Sequence, residues 1–338
     1  MKAYEINEFG IDNLTLADRE EPQPKANEVK VKIHATSLNY RDLMMIKGAY
    51  NPRLKTPLVP FSDGAGEVTE VGEAVTKFKV GDRVMPIFMQ GWIDGAIDFQ
   101  KARTALGGDT DGCLREFAAF DENGLVCIPD HFSYEEAATL PCAAVTAFHA
   151  LFESGRMKSD DSVLLQGTGG VSIFALQFAA ALGTRIIITS SSDEKLERAE
   201  KLGATDFINY RTREDWDAAI LELTGKRGVD HIVEVGGAGT IAKSLKAVKV
   251  GGHIAVIGAL SGAAEGGINP VNVLMKSVRL QGIYVGSRQM FEDLNRMLCQ
   301  YIHIKPVIDK TFDFGEVKDA LKYMEAGAHF GKIVVKIN

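Results

Sequence analysis

Apolar and polar residues alternate through EVKVKIHAT (28–36), with Val29, Val31 and Ile33 on one side. A period of two places successive side chains on opposite faces, so the segment reads as a half-buried strand. GAGEVTEVG (64–72) and KVGDRVMPI (79–87) read as further short strands bounded by glycine turns. Beyond about residue 130 the texture changes. SVLLQG, TRIIIT, TDFINY, VDHIVEVGG and GGHIAVIG are short apolar runs that end in turn residues, and helical stretches separate them. Strands alternating with helices predict βαβ units and a parallel sheet. RQMFEDLNRMLCQ reads as a last helix before Pro306, and GKIVVKIN as a closing strand. The expected architecture is α/β: a Rossmann-type doubly wound parallel sheet over 130–305, inserted into a β-rich domain of 1–129 and 306–338. Between Pro86 and Cys113 the chain shows no clear period, and a long functional loop or lid is expected there.

The second βαβ feature carries the first candidate chemistry. Strand SVLLQG runs into Gly167, Gly169 and Gly170, and a helix follows with Val171, Phe174, Ala175, Phe178 and Leu182 on one expected buried face. Glycines there let the backbone approach a pyrophosphate, and the helix N-terminus offers unpaired N–H groups. The strand–turn–helix context supports the motif, although Ser172 stands at its third glycine position. A NAD site would end the next strand in an acid. Here TRIIIT runs into Ser190, Ser191 and Ser192. A carboxylate beside a 2′-phosphate would cost on the order of 4 kcal/mol at 4 Å and an effective dielectric of 20. Hydroxyls remove that repulsion, Lys195 can add positive charge unless it is only a solvated helix lysine, and Tyr210 can cover the adenine or touch the phosphate. These residues point to NADP(H).

Composition narrows the field. The 338 residues carry a net charge of −7, 46% hydrophobic and 25% charged residues, and no Lys/Arg-rich run. A nucleic-acid partner is not expected. No apolar run approaches the ~20 residues that span a bilayer, so no membrane partner is expected. MKAYEINEFG lacks the apolar core of a signal peptide, and a cytoplasmic location is the expectation. The four cysteines form no C-x-x-C pair, and the seven histidines form no pair at ligand spacing.

Taken together, LNYRDLMMIKGAY (38–50), VPFSDGAGEV (59–68), KVGDRVMPI, LPCAAVTAFHAL (140–151), GTGGVS (167–172) and GKIVVKI resemble the medium-chain dehydrogenase/reductase superfamily over essentially the whole chain. The resemblance implies a GroES-like catalytic domain beside the Rossmann domain. Zinc enzymes of this superfamily hold their catalytic metal with a cysteine, a histidine and a second cysteine. The corresponding residues here are Asn39, Ser62 and Cys142, and residues 86–112 hold no cysteines for a structural zinc. A catalytic zinc needs three protein ligands. The chain therefore looks like the zinc-free, quinone oxidoreductase-like branch, with its enone- and enoyl-reducing relatives.

That branch implies reduction of an activated C=C or quinone-type small molecule. Tyr50 stands where enoyl reductases carry a tyrosine implicated in protonation, and Asn39 can hold the substrate oxygen or the nicotinamide ribose. A packed loop aromatic and a turn cap are the plainer readings of the two. Tyr40 and Arg41 are expected beside the same site, binding the substrate or the cofactor phosphates, and Phe88, Trp92, Ile97 and Phe99, exposed in the loop, are expected to wall an apolar substrate pocket. By position Thr146 belongs near the nicotinamide, Gly258, Ala259 and Leu260 near its ribose, and Val285 near its carboxamide, with Lys332 a weaker candidate. Asp63 reads as a buried structural acid. A zinc-free alcohol/aldehyde dehydrogenase is the alternative, and a non-catalytic NADPH-binding protein the alternative of another class. VRLQGIYVG (278–286) reads as an apolar sheet edge, which relatives pair across a twofold axis, so a homodimer is expected.

Overall fold

The computed structural model describes residues 1–258 and 268–337. The chain forms two compact units, Met1–Val145 with Val285–Asn338, and Thr146–Tyr284. The first opens with the antiparallel pair β1 (Lys2–Glu5) and β2 (Thr15–Asp18). Strand β3 (Glu28–Ser37), helix α1 (Tyr40–Ile46) and strands β4 (Asp63–Val71), β5 (Arg83–Pro86), β6 (Phe117–Asp121) and β7 (Leu125–Cys127) follow, then the short α2 (Tyr134–Ala137) and α3 (Val145–Phe148). The second unit contains β8 (Ser162–Gln166), α4 (Gly170–Leu182), β9 (Arg185–Ser190), α5 (Asp193–Glu200), β10 (Asp206–Asn209), α6 (Trp216–Leu223), β11 (Val229–Glu234), α7 (Ile241–Ala247), β12 (Val248–Val256), α8 (Pro270–Met275) and β13 (Arg279–Gly282). Helix α9 (Arg288–Gln300), β14 (Ile308–Asp313), α10 (Val317–Glu325) and β15 (Lys332–Lys336) return to the first.

In the first unit the strand order is β14-β15-β3-β4-β5-β7, with β6 also on β3. Val29, Val31 and Ile33 all point into one core with Val68, Val84 and Leu125, as the alternation requires. Ile6, Leu38, Phe61, Leu321 and Ile333 fill a second core. The inserted unit is a six-stranded parallel sheet of order β10-β9-β8-β11-β12-β13. The order reverses between β8 and β11, and doubly wound sheets bind ligands beyond the carboxyl ends of strands at such a point. Leu164, Ile187, Ile232 and Ile254 build its core with Trp216.

Three expectations need adjustment. The unit boundaries fall at 145/146 and 284/285 rather than near 130 and 305. Helices α2 and α9 pack on strands of the first unit, and Asn295 Nδ2 donates to Cys127 O at 3.0 Å. Helix α4 does not bury one face: Ile173 and Leu176 are buried with Phe174 and Phe178, while Val171 and Leu182 are half-buried. Its apolar residues run round the whole circumference, so no single stripe is selected. The segment 86–112 is no open loop. Isolated bridges join Met89 to Ala105 and Leu106 to Thr110, and Trp92 O and Ile93 O accept from the N–H groups of Arg288 and Gln289 at 2.9 and 3.0 Å. Among the described residues no helix is long and apolar enough to cross a membrane.

Candidate functional site

At the carboxyl end of β8 the chain turns through Gly167, which has φ +70°. A side-chain carbon added at Gly167 or Gly169 would meet no atom within 4 Å, so the backbone here faces open space. Gly169 is the N-cap of α4 and supplies no side-chain oxygen, which leaves the N–H groups of the first turn to another acceptor. Both features fit a pyrophosphate, and Gly170 and Val171 open the helix behind it. Ser172 is accommodated because its hydroxyl donates to Gln166 O at 2.7 Å, joining helix to strand. Gln166 and Glu234 link β8 to β11 at the switch point: Gln166 Nε2 donates to Glu234 Oε2 at 2.8 Å, and Glu234 Oε1 accepts from the N–H groups of Gly236 and Gly237. This brace was not anticipated from the sequence, since its partners lie 68 residues apart.

The serine run is not uniform. Ser190 is buried, and its Oγ accepts from the Ser192 N–H at 3.3 Å. This bond shapes the turn at the end of β9 and leaves the Ser190 O–H able to donate. Ser192 caps α5, accepting from the Lys195 N–H at 3.4 Å. Ser191 and Lys195 are half-buried and Tyr210 is exposed. The Tyr210 N–H donates to Ser190 O at 3.0 Å, which brings the ends of β9 and β10 together. Asp193 is the next acid in sequence, and Asn209 Nδ2 donates to its Oδ1 at 2.7 Å. Exposed Arg211, next to Tyr210, adds a cation not anticipated from the sequence. Gly258 is half-buried, and a side-chain carbon there would come within 2.5 Å of Val235 O. Ala259 and Leu260 lie outside the described residues. Thr146 is buried at the start of the second unit, and Val285, buried with φ +54°, begins the return to the first.

A second cluster lies within the first unit. Antiparallel pairing sets Ser37 of β3 opposite Asp63 of β4 and opposite Val334 of β15. The Leu38 N–H continues the ladder to Ile333 O at 3.0 Å. This register brings Lys332 to Asn39, the N-cap of α1. Lys332 is buried, and its Nζ donates to Leu38 O at 2.7 Å and to Asn39 Oδ1 at 2.6 Å, with Asp63 Oδ2 at 3.7 Å. Asn39 Nδ2 donates to Ser62 Oγ at 3.2 Å, and Ser62 Oγ donates to Asp63 Oδ1 at 3.0 Å. Asp63 also accepts from Ser37 Oγ at 3.2 Å. Burial raises its carboxyl pKa, against the opposing effect of Lys332 and these donors.

The Asn39 N–H donates to Asp42 Oδ2 at 2.8 Å, while Asp42 Oδ1 is buried with no hydrogen-bond partner. Burial pushes Asp42 up to about 7, with the Arg41 guanidinium opposing. The Cys142 thiol is pushed well above the usual thiol range, chiefly by burial and then by Asp63. Buried Cys113 is pushed up to about 12 for the same first reason. An amide and a hydroxyl are poor zinc ligands, and the Lys332 ammonium beside them is not a ligand at all. Among the described residues no group of three or more His, Cys, Asp or Glu side chains could hold a metal ion.

Tyr50 is 45% exposed, and the Arg41 guanidinium lies 5.6 Å from its ring centre and 4.8 Å from that of Phe88. Arg41 Nη1 donates to Leu106 O at 2.8 Å, tying α1 to the 86–112 segment. Tyr40 is exposed. Phe88 and Trp92, expected in the open, are each only 2% exposed, because the segment folds on itself and Trp92 Nε1 donates to Gly95 O at 2.9 Å. Ile97 and Phe99 are the exposed apolar pair there. The expectation that Phe88 and Trp92 stand exposed in the loop is therefore corrected.

Comparison with known proteins completes the picture. Residues 25–130 match the family described as alcohol dehydrogenase GroES-like domain, and residues 170–300 that described as zinc-binding dehydrogenase. A zinc-type alcohol dehydrogenase-like protein of Schizosaccharomyces pombe is 44% identical over 97% of this chain and 96% of its own. The acryloyl-coenzyme A reductase of Metallosphaera sedula is 27% identical over 94% of each chain. The crystal structure of a putative alcohol dehydrogenase from Sinorhizobium meliloti superposes with a TM-score of 0.92 at 41% identity, covering 99% of this chain and 98% of that one.

Proposed function

The chain belongs to the medium-chain dehydrogenase/reductase superfamily and is an oxidoreductase of that kind, and from this premise we propose that it is an NADPH-dependent, zinc-independent reductase of activated C=C bonds or quinones. The observation that carries the reading is the Lys332–Asn39–Ser62–Asp63 cluster: Asn39 and Ser62, which the resemblance aligns with two zinc-ligand positions, are hydrogen-bonded to each other, with the buried Lys332 ammonium on Asn39 and near Asp63. NADPH, when bound, would supply a hydride to the β-carbon. The π pair of the C=C then moves onto the conjugated carbonyl oxygen, and the α-carbon takes a proton. A fixed N–H donor stabilises that developing oxyanion, a task for which no Lewis acid is required. Asn39 supplies the donor, and Tyr50 stands as the candidate proton source. A saturated ketone or alcohol offers no such delocalised charge and depends more on a metal.

The Gly167–Val171 turn holds the pyrophosphate in this reading. Ser191, Lys195, Tyr210 and Arg211 receive the 2′-phosphate, with Asp193 engaged by Asn209. A second copy of the chain covers edge strand β13, next to which α8 exposes Val271, Leu274 and Met275. The deciding experiment is a substrate panel read by NADPH oxidation: 2-alkenals, enones and quinones against saturated aldehydes and ketones, with zinc measured on the purified protein. Turnover of the unsaturated set at well below one zinc per chain is expected. Turnover of saturated carbonyls alone, or one zinc per chain needed for activity, refutes the reading.

A further inference from the structure

Lys332 is the least explained member of the cluster, since a buried ammonium is costly unless its hydrogens are all taken. We propose that Lys332 is the positioning residue of the Asn39 amide, fixing it so that the NH₂ end rather than the carbonyl is offered to the substrate oxygen. The proposal rests on the role given above to Asn39.

An ammonium has three hydrogens and no acceptor. Leu38 O and Asn39 Oδ1 accept two of them, and the Asp63 carboxylate attracts the third. Only an acceptor can face Lys332 at 2.6 Å, so the amide oxygen points at it and Nδ2 points away. Nδ2 then donates to Ser62 Oγ, and Ser62 donates to Asp63. The ring has a direction: Lys332 donates both ways, Asp63 accepts both ways, and Asn39 and Ser62 pass the direction on. Asp63 enforces it from the other end, since it only accepts from Ser62 and so leaves the Ser62 oxygen to accept from Nδ2. Without the ammonium, Oδ1 loses its donor at 2.6 Å and the amide keeps the 3.2 Å bond to Ser62, a hydroxyl able to donate as well as accept, so its preference over the flip is weakened. A flipped Asn39 would present a carbonyl to an oxyanion and repel it. The ammonium also withdraws electron density through Oδ1 and strengthens the Nδ2–H donor. Lys332 is buried, and two of its three hydrogens are hydrogen-bonded to Leu38 O and Asn39 Oδ1. Strand pairing of β15 on β3 delivers it across 293 residues of sequence.

The test compares Lys332→Met, Lys332→Arg, Asn39→Ala and Lys332→Met/Asn39→Ala with two readouts. The first is kcat and KM on the best unsaturated substrate of the panel. Losing an oriented donor should lower kcat in Lys332→Met by about 10²-fold with NADPH affinity held within about twofold, and Lys332→Arg should recover most of the loss. Because Lys332 acts through Asn39, the double variant should be no worse than Asn39→Ala alone. The second readout needs no turnover: in protein labelled with ¹⁵N-asparagine, the Asn39 side-chain amide signal, assigned by its absence in Asn39→Ala, should shift and exchange faster with solvent in Lys332→Met. A kcat within about threefold of wild type, fully multiplicative losses, or an unmoved amide signal overturns the proposal. Should the wild type turn over nothing in the panel, the proposed function fails while the amide signal still decides the role of Lys332. Should Lys332→Met not fold, Lys332→Met/Asp63→Asn, which removes both charges, takes its place with the same expectations.

Discussion

His253 links the fold to pH through one substitution. Its Nε2 lies 2.9 Å from Ser154 Oγ, its Nδ1 is buried without a partner, and its ring centre is 5.8 Å from that of His231. Strand register puts His231, His253 and Arg279 side by side on β11, β12 and β13. Burial, then His231 and Arg279, lower the pKa of His253 from 6.5 to about 4. Above pH 6.5 the residue is neutral folded and unfolded and contributes nothing to the pH dependence. Between 6.5 and about 4 the unfolded chain takes a proton that the folded chain refuses, so stability falls as pH falls. The full shift corresponds to about 3 kcal/mol, of which about 2 kcal/mol is already lost at pH 5. His253→Gln keeps a hydrogen-bonding group for Ser154 and removes the titration. Urea unfolding of both proteins at pH 7.5 and pH 5.0 reads the effect. The wild type should lose about 2 kcal/mol more than the variant over that interval. Parallel pH dependences would refute the reasoning, because no other group is changed.

Asp42 works in the opposite sense. Its folded pKa lies above its unfolded one, so its carboxylate costs stability above pH 7 and the cost vanishes as pH falls toward 3.8. Asp42→Asn should therefore stabilise the protein at pH 8 and leave it unchanged near pH 4, as thermal melts at the two values would show. Lys195→Ala and Arg211→Ala should each weaken NADPH binding by about tenfold and leave NADH binding within about twofold, measured by fluorescence titration, since a surface cation acts only on the 2′-phosphate. Equal losses for both cofactors would remove that role. Tyr50→Phe should lower kcat by about 10²-fold if its hydroxyl delivers the proton, and a change within a few-fold would leave Tyr50 as a ring stacked on Arg41. Leu274→Asp, on a residue 74% exposed on α8, should convert a dimer to monomer in light scattering, and an unchanged mass would move the interface elsewhere.

The parts of this protein written in local pattern are legible in the amino-acid sequence by itself. Val29, Val31 and Ile33 declare a strand and its buried face, and Gly167 declares a turn, made at φ +70°, that favours a residue without a side chain. The reading of Asn39 and Ser62 at zinc-ligand positions comes from the resemblance to the superfamily rather than from any local pattern. Tertiary structure decided the rest. Lys332 meets Asn39 because β15 lies antiparallel on β3, and strand register between distant segments is set by sheet assembly rather than by either segment alone. The same holds for the His231–His253–Arg279 row, three residues whose spacing in sequence carries no period. Ser190 is buried with the Ser192 N–H on its Oγ, and Phe88 and Trp92 are covered because an irregular segment folds back on itself and onto the start of α9. Periodicity reports which face of a regular element is buried. It is silent where the element is irregular, and silent on which distant side chain arrives to complete a hydrogen bond.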